Sequence, residues 1–152
     1  MKTKYITALL AFAVIGGAQS QAAGDAARNV VIVANDQMKY SVTRIEARPG
    51  ETIHVRLKNE GTLAKEVMGH NWILLKSGTT AAAYAAAALQ AAKENYEPKS
   101  LADQVLASIP LIGAKHEEEV TFTAPETPGV YAFLCTFPGH FQAGMHGELI
   151  VK

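Results

Sequence analysis

The most informative segment of this chain is Cys135-Thr136-Phe137-Pro138-Gly139-His140-Phe141-Gln142-Ala143-Gly144-Met145, which places a thiol, an imidazole and a thioether at the spacing Cys-x4-His-x4-Met. Residues 130–134 before it and residues 148–151 after it are mostly apolar, so the segment joins two predicted strands. A proline and two glycines inside the segment supply turns. The pattern therefore predicts a loop that folds three potential metal ligands onto one point.

These three groups form a ligand set that suits copper. Two imidazoles and a thiolate in a trigonal plane, with a weak axial thioether, define the blue-copper electron-transfer site. The second imidazole must come from elsewhere, and His70 is the best candidate because Met68-Gly69-His70-Asn71-Trp72 leads directly into an apolar run. The predicted ligands of one copper ion per chain are therefore His70, Cys135, His140 and Met145.

Each of these side chains has an ordinary explanation when it is considered alone. Cys135 is the single cysteine of the chain, and a buried small hydrophobe, a disulfide between chains, a reactive thiol and a metal ligand are all open to it. A lone methionine usually fills a core, and a lone histidine usually lies at the surface or in a satisfied core position. The joint spacing after a predicted strand favours the metal site over these alternatives.

Short segments of apolar or alternating character, separated by turn-forming residues, make up most of the chain. In residues 52–57 the side chains of Ile53, Val55 and Leu57 alternate with polar ones, which is typical of a half-buried strand. The spacing predicts an all-β protein with a Greek-key β-sandwich. The predicted strands span residues 30–34, 52–57, 72–75, 119–123, 130–134 and 148–151.

Residues 79–96 break this pattern. Their central part is alanine-rich and contains no β-branched residue. Alanine is the strongest helix former, and Pro98 stops the run. We predict one helix inserted between two strands, packed as a flap on the outside of the sandwich; a low-complexity tract is the weaker alternative.

Residues 1–22 have the three parts of a secretory signal peptide: two lysines at the start, an apolar run over residues 5–18, and small residues near Ala22. The apolar run is shorter than the ~20 residues of a membrane span, and an uncleaved anchor is the alternative. Cleavage after Ala22 or Ala23 would leave one domain, residues 23–152, in the periplasm without membrane insertion. That domain has a formal charge of −2, since twelve basic residues face fourteen acidic ones, and it shows no basic patch for nucleic acid.

From about Asn29 to Lys152 the chain resembles the blue copper proteins, in the branch that contains azurin and auracyanin. Azurin has one residue fewer between its ligand His and Met, whereas the longer loop and the sixty-five positions from His70 to Cys135 are similar to auracyanin. Azurin also carries a disulfide that a single cysteine cannot form. The resemblance is carried by four strings: Asn35-Asp36-Gln37-Met38, Val67-Met68-Gly69-His70-Asn71-Trp72, Leu111-Ile112-Gly113 and Cys135-Thr136-Phe137-Pro138-Gly139-His140.

The resemblance implies an eight-stranded cupredoxin sandwich with the helix as a flap. It implies equatorial ligands His70, Cys135 and His140, an axial Met145, and the backbone carbonyl of Gly69 as a distant fifth contact. It also implies that backbone N–H groups of Asn71 and Phe137 point at the Cys135 sulfur, and that the Asn71 side chain ties the two ligand loops together.

The predicted function is transfer of single electrons by a protein that is not an enzyme. Redox donors and acceptors are expected to dock at an apolar patch around His140. A periplasmic copper-binding or copper-delivery protein is the alternative, and a copper oxidase or nitrite reductase fragment is less favoured because it needs a second histidine cluster. The side chains expected at or near the patch are Phe137, Pro138, Phe141, Met38 and Met68.

Overall fold

A computed structural model describes residues 26–152, so the predicted signal peptide and its cleavage site lie outside the described residues. Within this range eight strands alternate with short connections and a helical insertion between β4 and β5. The strands are β1 Arg28–Ala34, β2 Arg44–Ala47, β3 Thr52–Asn59, β4 His70–Leu75, β5 Val105–Ile112, β6 Glu117–Thr123, β7 Gly129–Leu134 and β8 His146–Val151.

The strands form two sheets that face each other across one core. The smaller sheet has the order β1-β3-β6, and the larger has the order β2-β8-β7-β4-β5. β1 pairs parallel with β3 and β2 pairs parallel with β8, while the other pairs are antiparallel. This arrangement confirms the predicted all-β sandwich.

The core is built by alternate side chains of the facing strands. Ile53, Val55 and Leu57 of β3 are buried, as their alternation predicted, and meet Trp72 and Phe133 from the larger sheet. Burial of such side chains contributes roughly 1.5–3 kcal/mol each. Cys135 and Met145 belong to the same buried cluster, so the loop between β7 and β8 is anchored at both ends in the core of the fold.

Two strands were not predicted, and both are edges of the larger sheet. β2 has only four residues, which alternate between exposed and buried positions. β5 contains Pro110, a residue that breaks most strands, but this strand is an edge and Pro110 lies at a register shift where it pairs with no residue of β4. The signals for these edges are therefore weak or contradictory in the sequence.

The alanine-rich segment forms a shorter helix than predicted. A single turn, α1 Lys65–Met68, precedes β4, and the inserted helix is α2 Ala81–Ala88. The predicted extent of 79–96 is wrong because the chain continues as a 3₁₀ turn, Ala92–Glu94, and then adopts left-handed backbone angles at Asn95 and Tyr96. Alanine favours helix, but tertiary packing decides how far a short helix extends.

The position of the flap on the outside of the sandwich is confirmed. Tyr84 and Ala85 of α2 are buried against Ile73, Leu75 and Leu134, which point outward from the larger sheet. None of the helices in residues 26–152 has the length and apolar content that a membrane crossing requires.

We expect Gly147→Ala to destabilise the fold by ~1–3 kcal/mol, because no space exists for a side chain at this position of β8. A Cβ there would lie 2.4 Å from the Phe133 ring and 2.4 Å from the Thr43 carbonyl oxygen. Urea unfolding of the metal-free protein measures the loss. Gly129→Ala is the matched control, since its Cβ would make an ordinary 3.7 Å contact with Tyr131. Equal stability of the two variants would contradict the proposed tight packing.

Candidate metal centre

The predicted ligands converge because three strand ends meet at one end of the sandwich. His70 opens β4, Cys135 directly follows β7, and Met145 directly precedes β8. β7 is antiparallel to both β4 and β8, so the start of β4, the end of β7 and the start of β8 lie at the same sheet end. His140 lies in the loop between β7 and β8.

Three of the predicted ligands form a compact buried cluster. Potential ligand atoms of His70, Cys135 and His140 all lie within 4.8 Å of one another. The Cys135 Sγ is 3.4 Å from His140 Nδ1, and the two imidazole rings have centroids 4.9 Å apart. All three side chains are at most 1% exposed. The structure therefore brings together residues that are up to seventy positions apart.

Met145 lies at the far end of the same loop and is hydrogen-bonded through its backbone to Cys135. Its N–H donates to the His140 carbonyl at 2.9 Å, and its carbonyl accepts a hydrogen bond from the Cys135 N–H at 3.0 Å. Gly139 and Gly144 adopt positive φ angles of 83° and 90°, which side chains rarely tolerate. These two glycines therefore permit the tight loop that carries both His140 and the buried Met145.

The donor set fits a metal ion, because it leaves buried polar atoms without partners. Both ring nitrogens of His70 are buried and form no hydrogen bond of normal geometry within the described residues. Leaving such a group unpaired costs ~1–3 kcal/mol. A metal ion would give one of these nitrogens a partner, and a sulfur and imidazole set is the kind that copper selects.

Burial controls the protonation of the metal-free site. It raises the pKa of the Cys135 thiol to about 11, an effect that backbone N–H groups of Asn71 and Phe137 partly oppose. It also lowers the pKa of His140 to about 4, with a smaller contribution from His70. Burial lowers the pKa of His70 too, opposed by the Asn35 carbonyl and the Asp36 carboxylate. At neutral pH the site therefore holds a neutral thiol and two neutral imidazoles.

Asn71 links the two ligand segments, as expected. Its side chain donates to Thr136 Oγ1 at 2.7 Å and accepts from the Thr136 N–H at 2.8 Å. The Thr136 hydroxyl in turn donates to the Tyr96 carbonyl at 2.6 Å. The residues that follow His70 and Cys135 are therefore held together and joined to the segment that follows the flap helix.

Gly69 occupies a position without room for a side chain. Its backbone is extended, and a Cβ would lie 2.6 Å from the Lys65 carbonyl oxygen and 3.0 Å from Leu111 Cγ. This close approach is a steric reason for glycine before His70. The distant contact of its carbonyl with the metal stays a prediction.

The apolar surroundings of the site differ from the predicted set. Phe137 is buried, and its ring lies 4.8 Å from the His140 ring and 5.3 Å from that of Tyr96. Phe141 is half-buried and packs against the outer cluster beneath the flap. Met38 and Met68 are half-buried, whereas Pro138 is exposed.

The exposed apolar side chains near His70 were not predicted. Leu63 is 42% exposed and Val67 is 60% exposed, and both lie in the segment that enters β4 through α1. Val67 belongs to one of the segments that carry the family resemblance, but the sequence does not show that this valine is exposed. The hydrogen bond from the buried Tyr40 hydroxyl to the Asn71 carbonyl also has no signature in the sequence.

Comparisons with known proteins agree with this geometry. Residues 27–152 match the model of the family described as copper binding proteins, plastocyanin/azurin family. The chain is 37% identical over 119 residues to auracyanin-A of Chloroflexus aurantiacus, covering 77% of this chain and 69% of that protein. It is 35% identical over 127 residues to azurin of Pseudomonas denitrificans, covering 82% of this chain and 98% of that protein.

Solved structures show the same likeness. The "blue" copper protein auracyanin A from Chloroflexus aurantiacus superimposes with a TM-score of 0.73 at 34% identity, over 84% of this chain and 100% of that one. The dithionite-reduced auracyanin from Roseiflexus castenholzii gives a TM-score of 0.73 at 32% identity, over 84% of this chain and 98% of that one.

We expect the metal-free protein to release about one proton per copper ion bound at pH 7. The thiol, with its raised pKa, must lose its proton to ligate, whereas the two imidazoles are already neutral. Apparent affinity should therefore rise about tenfold per pH unit from pH 7 towards the thiol pKa, and should fall more steeply below the pKa of His140. Calorimetric titration in buffers of different ionisation enthalpy counts the protons. Release of two or more at pH 7 would contradict neutral imidazoles, and release of none would contradict a protonated thiol.

Proposed function

The chain belongs to the plastocyanin/azurin family of copper-binding proteins, so copper is its cofactor, and we propose that it is an exported carrier of single electrons. One copper ion would be bound by His70, Cys135, His140 and Met145. The observation that carries this proposal is the buried convergence of ligand atoms from His70, Cys135 and His140 within 4.8 Å. Copper, when bound, supplies a one-electron couple between Cu(II) and Cu(I).

The proposed ligands divide into a strong set and a weak set. His70, Cys135 and His140 would be the strong ligands, since two imidazoles and a thiolate serve both oxidation states of copper. The Met145 thioether would be a weak donor, and the Gly69 carbonyl would be a distant contact. The fold brings the ligand atoms of His70, Cys135 and His140 within 4.8 Å of one another without an ion, so little rearrangement would accompany a change of oxidation state.

Burial of the site supports electron transfer over copper delivery. A delivery protein must pass the ion to a partner through ligands that reach the surface. Here the side chains of the four proposed ligands are at most 1% exposed, and Phe137 covers one side of His140. Such a site retains its ion and excludes water, which favours exchange of electrons over exchange of metal.

We further propose that redox partners dock at the loops around the metal, on a surface composed of Leu63, Val67 and Pro138. These apolar residues are exposed, and they lie in the two segments that carry His70 and His140. Exposed apolar surface of this kind marks contact sites, and brief redox encounters need only a small area. Export to the periplasm through cleavage of residues 1–22 completes the proposal.

The metal assignment predicts a strong thiolate-to-copper band in the visible spectrum of the copper-loaded protein. Cys135→Ser should lose this band, because the hydroxyl oxygen is a poor substitute for a soft thiolate. The measurement is the absorption spectrum after addition of one equivalent of Cu(II). A variant that stays blue would show that the thiolate is not a ligand.

Met145→Leu is the companion variant, and it should keep the blue colour. Loss of a weak sulfur donor disfavours Cu(II) more than Cu(I), so the reduction potential should rise. Voltammetry measures the change. An unchanged or lower potential would indicate that Met145 only fills the core.

The docking surface predicts that Val67→Lys slows electron self-exchange severalfold at low salt, since two surfaces that bear the new charge repel each other. Because Val67 is exposed, the visible spectrum and the reduction potential should be retained. Val130→Lys is the matched control: this valine is 58% exposed, but it lies near the start of β7, at the end remote from Cys135. NMR line broadening gives the exchange rates. Equal rates in the two variants would place the docking surface elsewhere.

A further inference from the structure

Lys39 lies in the turn that joins β1 to β2, and the backbone of this turn is well fixed. The Ser41 N–H donates to the Val33 carbonyl at 2.9 Å, and the Val33 N–H donates to Ser41 Oγ at 2.8 Å. Tyr40 forms a β-bridge with Ala34 and is buried, whereas Lys39 is exposed. The lysine side chain therefore starts from a defined position at the edge of the core.

The ammonium group of Lys39 contacts the loop between the proposed ligands His140 and Met145. Its Nζ donates a hydrogen bond of 2.6 Å to the carbonyl of Ala143, which is 104 positions away in the chain. A Cβ on Gly144 would lie 3.2 Å from the same nitrogen. A charged donor forms a shorter and stronger hydrogen bond than a neutral one. Lys39 therefore binds the two residues that directly precede Met145.

This loop otherwise takes its shape from short-range backbone hydrogen bonds. The Ala143 N–H donates to the Gly139 carbonyl at 3.0 Å, and the Met145 N–H donates to the His140 carbonyl at 2.9 Å. Gly144, at a positive φ of 90°, adds a residue that loses much backbone freedom when the loop is ordered. Bonds within a loop fix its shape, but a bond from another segment is needed to fix its position.

We propose that Lys39 is a positioning residue that holds the loop from His140 to Met145 closed over the metal ion. The proposal rests on the proposed function, which assigns both of these residues to the ion. A loop opens locally at a free-energy cost set by the few contacts that hold it. Loss of a charge-assisted hydrogen bond should therefore raise the open population of this loop severalfold. Lys39 would slow release of the ion without touching it.

Lys115 provides a matched comparison in the connection between β5 and β6. It is exposed, and its Nζ donates to the Glu60 carbonyl at 2.9 Å. Lys115→Met removes the same charge and the same kind of hydrogen bond as Lys39→Met. The two variants differ in the acceptor, because Glu60 lies outside the loop that contains His140 and Met145.

The first test uses the metal-free protein and measures amide hydrogen exchange by NMR. Lys39→Met keeps a side chain of similar length without its donor, so exchange at the Gly144 and Met145 amides should become severalfold faster. Lys115→Met should retain the natural rates at these amides, and so should Lys39→Arg, which keeps a cationic donor. Natural rates in Lys39→Met, or equal acceleration in Lys115→Met, would overturn the proposal.

The second test measures loss of copper from the loaded protein. The visible band should decay severalfold faster in excess EDTA for Lys39→Met than for the natural chain, Lys115→Met or Lys39→Arg. Urea unfolding of the metal-free variants separates local from global effects, and Lys39→Met and Lys115→Met should have similar midpoints. Copper loss that follows the unfolding midpoints instead would show that Lys39 acts only on overall stability and would overturn the proposal.

The two tests also separate this proposal from the proposed function. If the natural copper-loaded protein lacks the visible band, the proposed function fails, and the exchange rates of the metal-free protein still decide whether Lys39 holds the loop. A blue natural protein whose Lys39→Met variant releases copper at the natural rate refutes only the role of Lys39.

Discussion

Asn71 joins the segment that carries His70 to the segment that carries Cys135. Its side chain joins Thr136 by two hydrogen bonds, and its carbonyl accepts the hydroxyl of Tyr40. Because Thr136 also donates to the Tyr96 carbonyl, the network connects the loop after β1, strand β4, the loop after β7 and the segment that follows the flap helix. Buried polar networks of this kind are stable only when every member has a partner. The position of the thiol therefore depends on contacts between parts of the chain that are far apart in sequence.

At this end of the sandwich, a group of buried ligands that is unfavourable without a metal ion lies within a core that stabilises the fold. A thiol and two imidazoles are placed where burial disfavours their charged forms, and neither ring nitrogen of His70 forms a hydrogen bond of normal geometry with the residues that the structure describes. The surrounding core of tightly packed strands supplies the stability that allows this arrangement. A site that is unfavourable without its ion and enclosed by rigid strands is well suited to bind one metal tightly in one geometry.

The sequence predicted what depends on local pattern. Alternation in residues 52–57 identified a core strand, and the spacing from Cys135 to Met145 identified the loop that converges with His70. The limits of the flap were missed because the left-handed backbone at Asn95 and Tyr96 follows from tertiary packing and not from alanine content. Edge strands β2 and β5, and the approach of Tyr40 to Asn71, were missed for the same reason. Each depends on pairing between distant segments, for which one sequence carries no local signal.

The wide separation of the converging residues has a consequence for the order of events during synthesis. His70 and Met145 are separated by seventy-five positions, and the flap and four strands lie between them. Contacts of such long range form late, because the intervening chain must first be closed into a loop. A partly made chain that ends before Cys135 contains only one of the four proposed ligands, His70. The complete ligand set therefore comes together only after β7 and the loop that follows it have been made and β7 has paired with β4.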